Sequence, residues 1–521
     1  MKKGHASKVV LIAALAVTTA LAGCSKSTEE GNKAKPATSA APATPSTPTT
    51  IDLMTINYDG VVPKEDNAVL LEMQKRTNTK LNINFVPSNN YGDKFKVVLA
   101  SGEIPDVILT TGISDSVTTQ AIRQGAFWDL TPYLKDYPNL QKTYPKDSFE
   151  NTKVDGKIYG LPRPRPLVGG AAFPALRQDW LEKLNLKMPE NMEELYTVLK
   201  AFTEKDPDGN GVKDTYGLAG SVAEGYMDKL VWVSDVFAGN NNFDIFKDGK
   251  MVWRDFEPSE REAILWLQRA YKEGVLMPDF GIMKGSQAID AMKQGKVGAI
   301  GTSMDSKNMG EWIANLKKMD PKANVAHVPT LISPATGKKY AIKEAGVFGN
   351  YLINKKVPEA KLKQILAFFD YGATPEGMEL GNYGVKDVHF KVVDGVKTRT
   401  DEWKNIAAQP LTNIWTLVDP YSRIAPTADY TSELRDRDKK IIDERLQYGV
   451  FINTSGITSD TYLKVGPELG KKVQDMRMKV ILGKETIEAW DKFVDAMKKD
   501  PTNIKIQEEK LASYKAIYGG K

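Results

Sequence analysis

Along most of this chain, apolar positions recur either with a period of two or with the i, i+3, i+4 spacing of a helix, and the two periods alternate. Ile51 to Tyr58 alternates like a half-buried strand, Val69, Leu70 and Met73 follow at helical spacing, and a second strand is expected from Leu81 to Val86. Phe95, Val98 and Leu99 mark another helix, closed by Gly102 ahead of Pro105 and a strand from Asp106 to Thr110. Strand, helix, strand is the βαβ pattern, so the N-terminal region reads as α/β. Asn191 with Glu194 three residues later has the form of a capping box before the stripe Leu195, Val198, Leu199 and Phe202. Ser259 with Glu262 repeats the device before Ile264, Leu267 and Tyr271, with Gly274 as the stop. Pro358 opens a helix carrying Leu362, Ile365, Leu366 and Phe369, preceded by a strand around Val347 to Ile353. The last strong stripe is Ile487, Trp490, Val494 and Met497, in a C-terminal part expected to be mainly helical.

The beginning of the chain follows neither period. Lys2, Lys3 and Lys8 precede an unbroken apolar run, Val9 to Leu21, too short to span a bilayer and ending in Leu21-Ala22-Gly23-Cys24. This is the pattern of a lipobox, in which small residues admit the peptide to a signal peptidase and the thiol of Cys24 accepts diacylglycerol. Residues 1–23 are therefore expected to be a lipoprotein signal peptide. Residues 24–50 are expected to be the lipidated cysteine and a disordered linker, because they hold almost nothing that could fill a core and offset the entropy of ordering. The expected location is the extracellular face of the cell membrane, with Cys24 as the anchor.

About 470 residues remain, too many for one hydrophobic core, so two lobes are expected. The formal charge of +5 loses three units with Lys2, Lys3 and Lys8, and the remaining +2 gives no basic excess for nucleic acid. Cys24 is the only cysteine, so no intrachain disulfide can form. Only His327 and His389 lie beyond the signal peptide, which argues against a histidine-dependent triad or zinc site, and no GxSxG, Walker loop or GxGxxG after a strand is present. Paired carboxylates for glycoside cleavage are a spatial matter, so an exported glycosidase or lyase stays open as an alternative. Nine tryptophans point instead to sugar faces, since a flat indole suits the apolar side of a pyranose. Trp266 and Trp490 belong to helical stripes, whereas Trp312, after Gly310-Glu311, and Trp415, after Asn413-Ile414, read as loop residues.

One stretch has metal-ligand spacing. Asp206, Asp208, Asn210 and Asp214 supply oxygen side chains at positions 1, 3, 5 and 9, with Gly211 at position 6 and the carbonyl of Val212 at position 7, as in an EF-hand calcium loop. Position 12 is Gly217 and not the bidentate glutamate, so Thr215 or water has to complete the shell. The other reading is a turn that binds nothing, because Asp, Asn and Gly favour turns in any case. A bound calcium here is expected to be structural.

Several motifs occur together and in order: Tyr91-Gly-Asp-Lys-Phe with Leu99-Ala-Ser-Gly-Glu-Ile-Pro-Asp106, Leu130-Thr-Pro-Tyr133 with Tyr137-Pro-Asn139, Gly156-Lys-Ile-Tyr159-Gly-Leu-Pro162, Arg177-Gln-Asp179-Trp180-Leu, the calcium-like loop, and Tyr383-Gly384-Val385. In this the chain resembles the family 1 extracellular solute-binding lipoproteins of ABC importers, especially the long Gram-positive type and the alginate-oligosaccharide-binding proteins. The resemblance implies a two-lobed, periplasmic-binding-protein-like α/β fold of type II with an interlobe ligand cleft and hinge closure. The expected lobes are 51–168 plus approximately 325–405, and 169–324 plus approximately 406–521. It also implies an oligosaccharide ligand and a monomer that delivers it to ABC permease transmembrane subunits. Asp206, Asp208, Asn210, Val212 and Asp214 become calcium ligands, and Tyr159, Arg177, Asp179, Trp180, Trp312 and Trp415 become ligand-binding candidates. Arg177 has the alternative of a structural ion pair with Asp179. Near-neutral charge disfavours a strongly acidic polymer, although Arg163, Arg165 and Arg177 are able to meet a uronate. A receptor serving a membrane sensor kinase is the remaining alternative.

Overall fold

The computed structural model describes residues 47–57, 62–112, 115–144, 148–403, 411, 414–415, 418–451 and 457–519. The expected signal peptide, Cys24 and nearly all of the expected linker lie outside these residues.

Two main sheets organise the described residues. The first has five strands in the order Thr79–Pro87, Thr49–Asn57, Val107–Thr110, Val347–Ile353 and Gly160–Pro164. Its first three strands are parallel and joined by helices Ala68–Thr77 and Ser88–Ser101, as the alternation of periods implies, while Val347–Ile353 enters antiparallel to both neighbours. Asn67 caps the first helix, and Gly102 closes the second with φ near +69°, where a residue with a Cβ is strained. The second sheet runs Val325–His327, Phe173–Arg177, Val297–Thr302, Tyr216–Ala219, with only the last pair parallel. Helices Met192–Glu204, Gly285–Lys293 and Ser306–Lys317 pack around it, and Asp460–Ile481, Ile487–Lys499 and Pro501–Tyr518 form the helical C-terminal part.

The apolar interior divides accordingly. One cluster holds Ile51, Val107, Leu161, Leu352 and Leu366, another Leu176, Phe202, Trp266, Val480 and Trp490, and a third, on the far face of the second sheet, Ile300, Met309, Trp312 and Ile442. Two expected boundaries shift. Val325–His327 pairs in the second sheet, and Leu331, Tyr340 and Ile342 pack in the second cluster, so 325–342 sits with 169–324. Leu411, Ile414 and Trp415 pack in the first cluster, beyond the expected end at 405.

Local expectations also meet corrections. Asn191 caps its helix through Glu193 N–H and Glu194 N–H, but the Glu194 carboxylate accepts from Glu190 N–H. Ser259 is not a cap, because Pro258 occupies the first helical position and Glu257 precedes it. Trp312 is not in a loop. Asp305 caps the helix Ser306–Lys317, which buries Met309, Trp312, Ile313 and Leu316 as one stripe. Trp415 lies in a turn but is enclosed by Phe368, Tyr371 and Gly372.

The second cluster encloses a charge network. Arg254 pairs with Asp235 and reaches Asp255 at 3.7 Å, while Arg477 meets Asp255 at 2.8 Å and Glu260 at 2.7 Å, tying helix Asp460–Ile481 to helix Pro258–Lys272. Burial pushes the Asp235 carboxyl up to about 6 against the pull of Arg254. Each charge there is held by an opposite one, which is what makes the burial tolerable.

Arg477→Met strands Glu260, and the expected loss is about 3–5 kcal/mol of unfolding free energy in urea titrations. Restoring neutrality with a second change, Glu260→Met, is expected to recover part of it. Trp312→Ala and Trp415→Ala open cavities in two different cores, each costing about 3–5 kcal/mol in the same measurement.

Candidate functional site

Where the chain passes between the two sheets, its backbone is paired. It leaves the first sheet after Pro164 and enters the second at Phe173, and it returns between Ile342 and Val347. These two crossover segments run side by side: Arg165 N–H donates to Gly346 C=O at 2.8 Å and Glu344 N–H to Leu167 C=O at 2.7 Å. The Glu344 carboxylate, itself buried, accepts from Gly170 N–H at 2.8 Å and interacts with the backbone of Ala171. A Cβ on Gly170 would sit 2.6 Å from that carboxylate, so a side chain there would displace the end of Glu344. Burial raises the Glu344 carboxyl above its usual range, opposed by the nearby Arg423 guanidinium, the backbone donors and Arg165. Near Ser422–Ile424, Arg399 donates to Ser306 Oγ at 3.0 Å and to Ser422 C=O at 2.8 Å.

Polar and aromatic groups gather on these passages. Arg163, 1% exposed, donates from Nε to Phe348 C=O at 2.7 Å and lies 5.2 Å from the centre of the Phe348 ring, which is 47% exposed. From the second half, the loop Asn240–Phe243 brings Asn241 Nδ2 to Lys343 C=O at 3.4 Å and leaves the Phe243 ring largely exposed. Tyr383 donates to Asp419 at 2.7 Å. Several enclosed atoms here have no hydrogen-bond partner: Arg163 Nη1, Arg399 Nε, Arg423 Nε, Asn241 Oδ1 and Asn350 Oδ1. Burial lowers the Arg399 guanidinium to about 10.

The residues singled out by sequence are placed elsewhere. Arg177 and Asp179 form a buried two-point ion pair at 2.9 and 2.5 Å, with the guanidinium stacked 4.3 Å over Trp180, the structural alternative weighed for Arg177. Trp180 packs edge-on against Phe202, and Tyr159 is half-buried against the first cluster. Trp312 and Trp415 are 1% and 2% exposed, in different clusters. The structure does not bring these six onto a common surface. Sequence reading missed Phe348, Phe243 and Glu344, because a single aromatic in a strand or loop has no periodic partner.

The Asp206–Asp214 segment forms a compact loop on its own hydrogen bonds. Asp206 accepts from the N–H groups of Gly209, Asn210 and Gly211 at 3.0 to 3.1 Å, and the Asn210 amide donates to Asp208 at 2.9 Å and to Asp214 at 3.2 Å. Hydrogen bonding with Asp208 and then the loop N–H groups hold the Asp206 carboxyl below its usual range, whereas partial burial and Asp206 push Asp208 up. Thr215 is turned inward onto Phe202 C=O, so it is not a ligand. Among the described residues no three His, Cys, Asp or Glu side chains converge as a metal cluster. The Asn210 amide N–H groups stand between Asp208 and Asp214, and its Oδ1 accepts from Val212 N–H at 2.7 Å, so offering that oxygen to a cation requires giving up this bond.

His327 is enclosed without a hydrogen-bond partner, and burial holds it well below its usual range; His389 Nδ1 accepts from Val385 N–H at 3.0 Å.

Comparison with known proteins agrees with this architecture. The family described as bacterial extracellular solute-binding protein matches residues 55–379. Lipoprotein LipO of Bacillus subtilis is 31% identical over 494 residues, covering 93% of this chain and 94% of its own length. The polygalacturonan/rhamnogalacturonan-binding protein YtcQ of the same organism is 31% identical over 512 residues, covering 94% and 95%. Among solved structures, alginate-binding protein AlgQ2 without calcium ion aligns with a TM-score of 0.68 at 20% identity, over 91% of this chain and 98% of its own. An EF-hand mutant of the Streptococcus pneumoniae ABC-transporter substrate binding protein FusA, in complex with fructo-nystose, aligns with a TM-score of 0.67 at 18% identity, over 91% and 100%. At those identities the two structures speak for the fold alone. With well over half of its length matched by the family and two relatives at 31% identity spanning nearly all of it, this chain is a member of the bacterial extracellular solute-binding proteins.

Proposed function

We propose that this chain is the receptor of an ABC importer, anchored outside the cell through lipid on Cys24, which takes an oligosaccharide between two lobes and passes it to the permease transmembrane subunits. The observation that carries the reading is the pair of hydrogen-bonded crossover segments, 165–172 and 343–346, between separately cored sheets. Ligand contacts made by both halves exist only when the halves are close, so binding draws a hinge equilibrium toward closure and the permease reads the closed shape. The names of the relatives, for polygalacturonan and for a fructo-oligosaccharide, support saccharides as the ligand class and leave its charge open.

Asp235, Asp255 and Glu260 are enclosed against Arg254 and Arg477, and the raised carboxyl in the crossover region, Glu344, is occupied by Gly170 N–H, which favours a binding role over a hydrolytic one. Asp206, Asp208, Asp214, Asn210 and the Val212 carbonyl are proposed to hold calcium, with water completing the shell. The ion supplies a structural crosslink at the end of helix Met192–Glu204 and takes no part in ligand chemistry.

Thermal unfolding and calorimetry against a panel of oligosaccharides test the receptor reading. An accepted sugar at one hundred times its Kd is expected to stabilise the protein by about 2.7 kcal/mol. The sugar is expected back intact, and new reducing ends after incubation would instead establish a glycosidase or lyase. Calcium is expected to raise the melting temperature and a chelator to reverse it. Asp206→Ala is expected to abolish the calcium shift, and a melting temperature indifferent to calcium in the wild-type chain rejects the metal site.

A further inference from the structure

The two halves also meet outside the crossover segments. Helix Ser116–Arg123 belongs to the first half through Ile122, and it approaches helix Asp460–Ile481, which belongs to the second half through Leu469, Val473 and Val480. One side chain joins them. The Arg123 guanidinium donates from Nε and Nη2 to the two carboxylate oxygens of Asp155, at 3.2 and 3.1 Å, and its Nη1 reaches Asp460 Oδ1 at 3.4 Å.

Each carboxylate stands on backbone anchored in its own half. Asp155 and Gly156 are the two central residues of the hairpin between Lys153–Val154 and Lys157–Ile158, with φ near +50° and +80°, so a tight turn fixes where Asp155 stands. Asp460 is the first residue of its helix, where the helix dipole favours a negative charge. Its neighbours are tied to the last helix, Pro501–Tyr518: Thr458 N–H donates to Ser513 Oγ at 3.1 Å, and Ser459 Oγ, Thr461 N–H and Thr461 Oγ1 all donate to the Glu509 carboxylate. The guanidinium is thus held on one side by its own half and offered to the other. Without it, Asp155 and Asp460 would present like charges to the same gap.

We propose that Arg123 is a latch between the halves, which with Asp155 and Asp460 biases the ligand-free chain toward its closed form. This rests on the receptor reading above, since only halves that open and close can be latched, and adds to it a group that tunes closure from outside the crossovers. The side chains of Arg123, Asp155 and Asp460 are 46%, 62% and 69% exposed, so the bias is that of a solvated pair, about twofold to fivefold in the ratio of closed to open chains. A latch of this strength favours closure and still lets the halves part to release a ligand.

Pulsed electron–electron double resonance reads the gap directly. Spin labels are placed on Lys135→Cys and Lys272→Cys, exposed positions of the first and second halves, in the full chain carrying Cys24→Ser so that no other thiol is present. Without ligand, Arg123→Gln is expected to lower the ratio of closed to open chains by about twofold to fivefold. Asp460→Asn is expected to do the same, and decides if Arg123→Gln fails to fold. Raising sodium chloride from about 20 to about 500 mM is expected to shift the wild-type chain toward the open form and to leave Asp460→Asn where it is. Distance distributions that are identical in the wild type and the variants, or a wild type indifferent to salt, overturn the latch. If tetragalacturonate or kestose still moves those distributions, the receptor reading stands without it. If neither these nor any saccharide of the panel binds or moves the labels, the receptor reading falls as well.

Discussion

The organisation of this protein depends on a buried carboxylate, Glu344, gripping the backbone of the opposite crossover segment. An isolated anion in that position would be strongly disfavoured. Gly170 N–H supplies its hydrogen bond, the backbone of Ala171 adds a second stabilising interaction, and Arg165 and Arg423 supply the field. The absence of a side chain at Gly170 leaves room for the Glu344 carboxylate beside the Gly170 N–H. Among the described residues the joint between the two sheets includes backbone pairing and this carboxylate. Cores packed to crystalline density resist deformation, whereas a polar joint of this kind changes angle without opening either core.

Buried charge is used in two ways in the molecule. In the second cluster Arg254 and Arg477 are paired with Asp235, Asp255 and Glu260, and the network ties helices together. Around the crossovers the acids are engaged largely by backbone N–H groups, and Arg163 Nη1, Arg399 Nε and Arg423 Nε have no hydrogen-bond partner.

The alternation of periods in the sequence carried most of the architecture. Strands and helices of the first sheet follow from Ile51, Val69, Leu81 and Phe95 with their neighbours, because each stripe is half-buried and its period is therefore clean. The segment 325–342 was assigned to the wrong half because strand partnership is a long-range choice that local period does not encode. Trp312 was misread for another reason: Gly310 looked like a loop signal, yet Met309, Trp312, Ile313 and Leu316 already had helical spacing behind the cap Asp305. Indole rings placed by composition turned out to be core, while Phe348 and Glu344, which no motif flags, occupy the passage between the halves. Their significance comes from backbone that lies nearly two hundred residues away in sequence.

The strand Val347–Ile353 lies between Val107–Thr110 and Gly160–Pro164, so the first sheet is built from pieces emerging far apart in time. Until that strand is synthesised, both neighbours present bare hydrogen-bonding edges while the whole second sheet has already appeared. A nascent chain therefore has all strands of the second sheet in hand before the first sheet is complete. Pairing of those waiting edges with a second molecule is the error such a synthesis order invites.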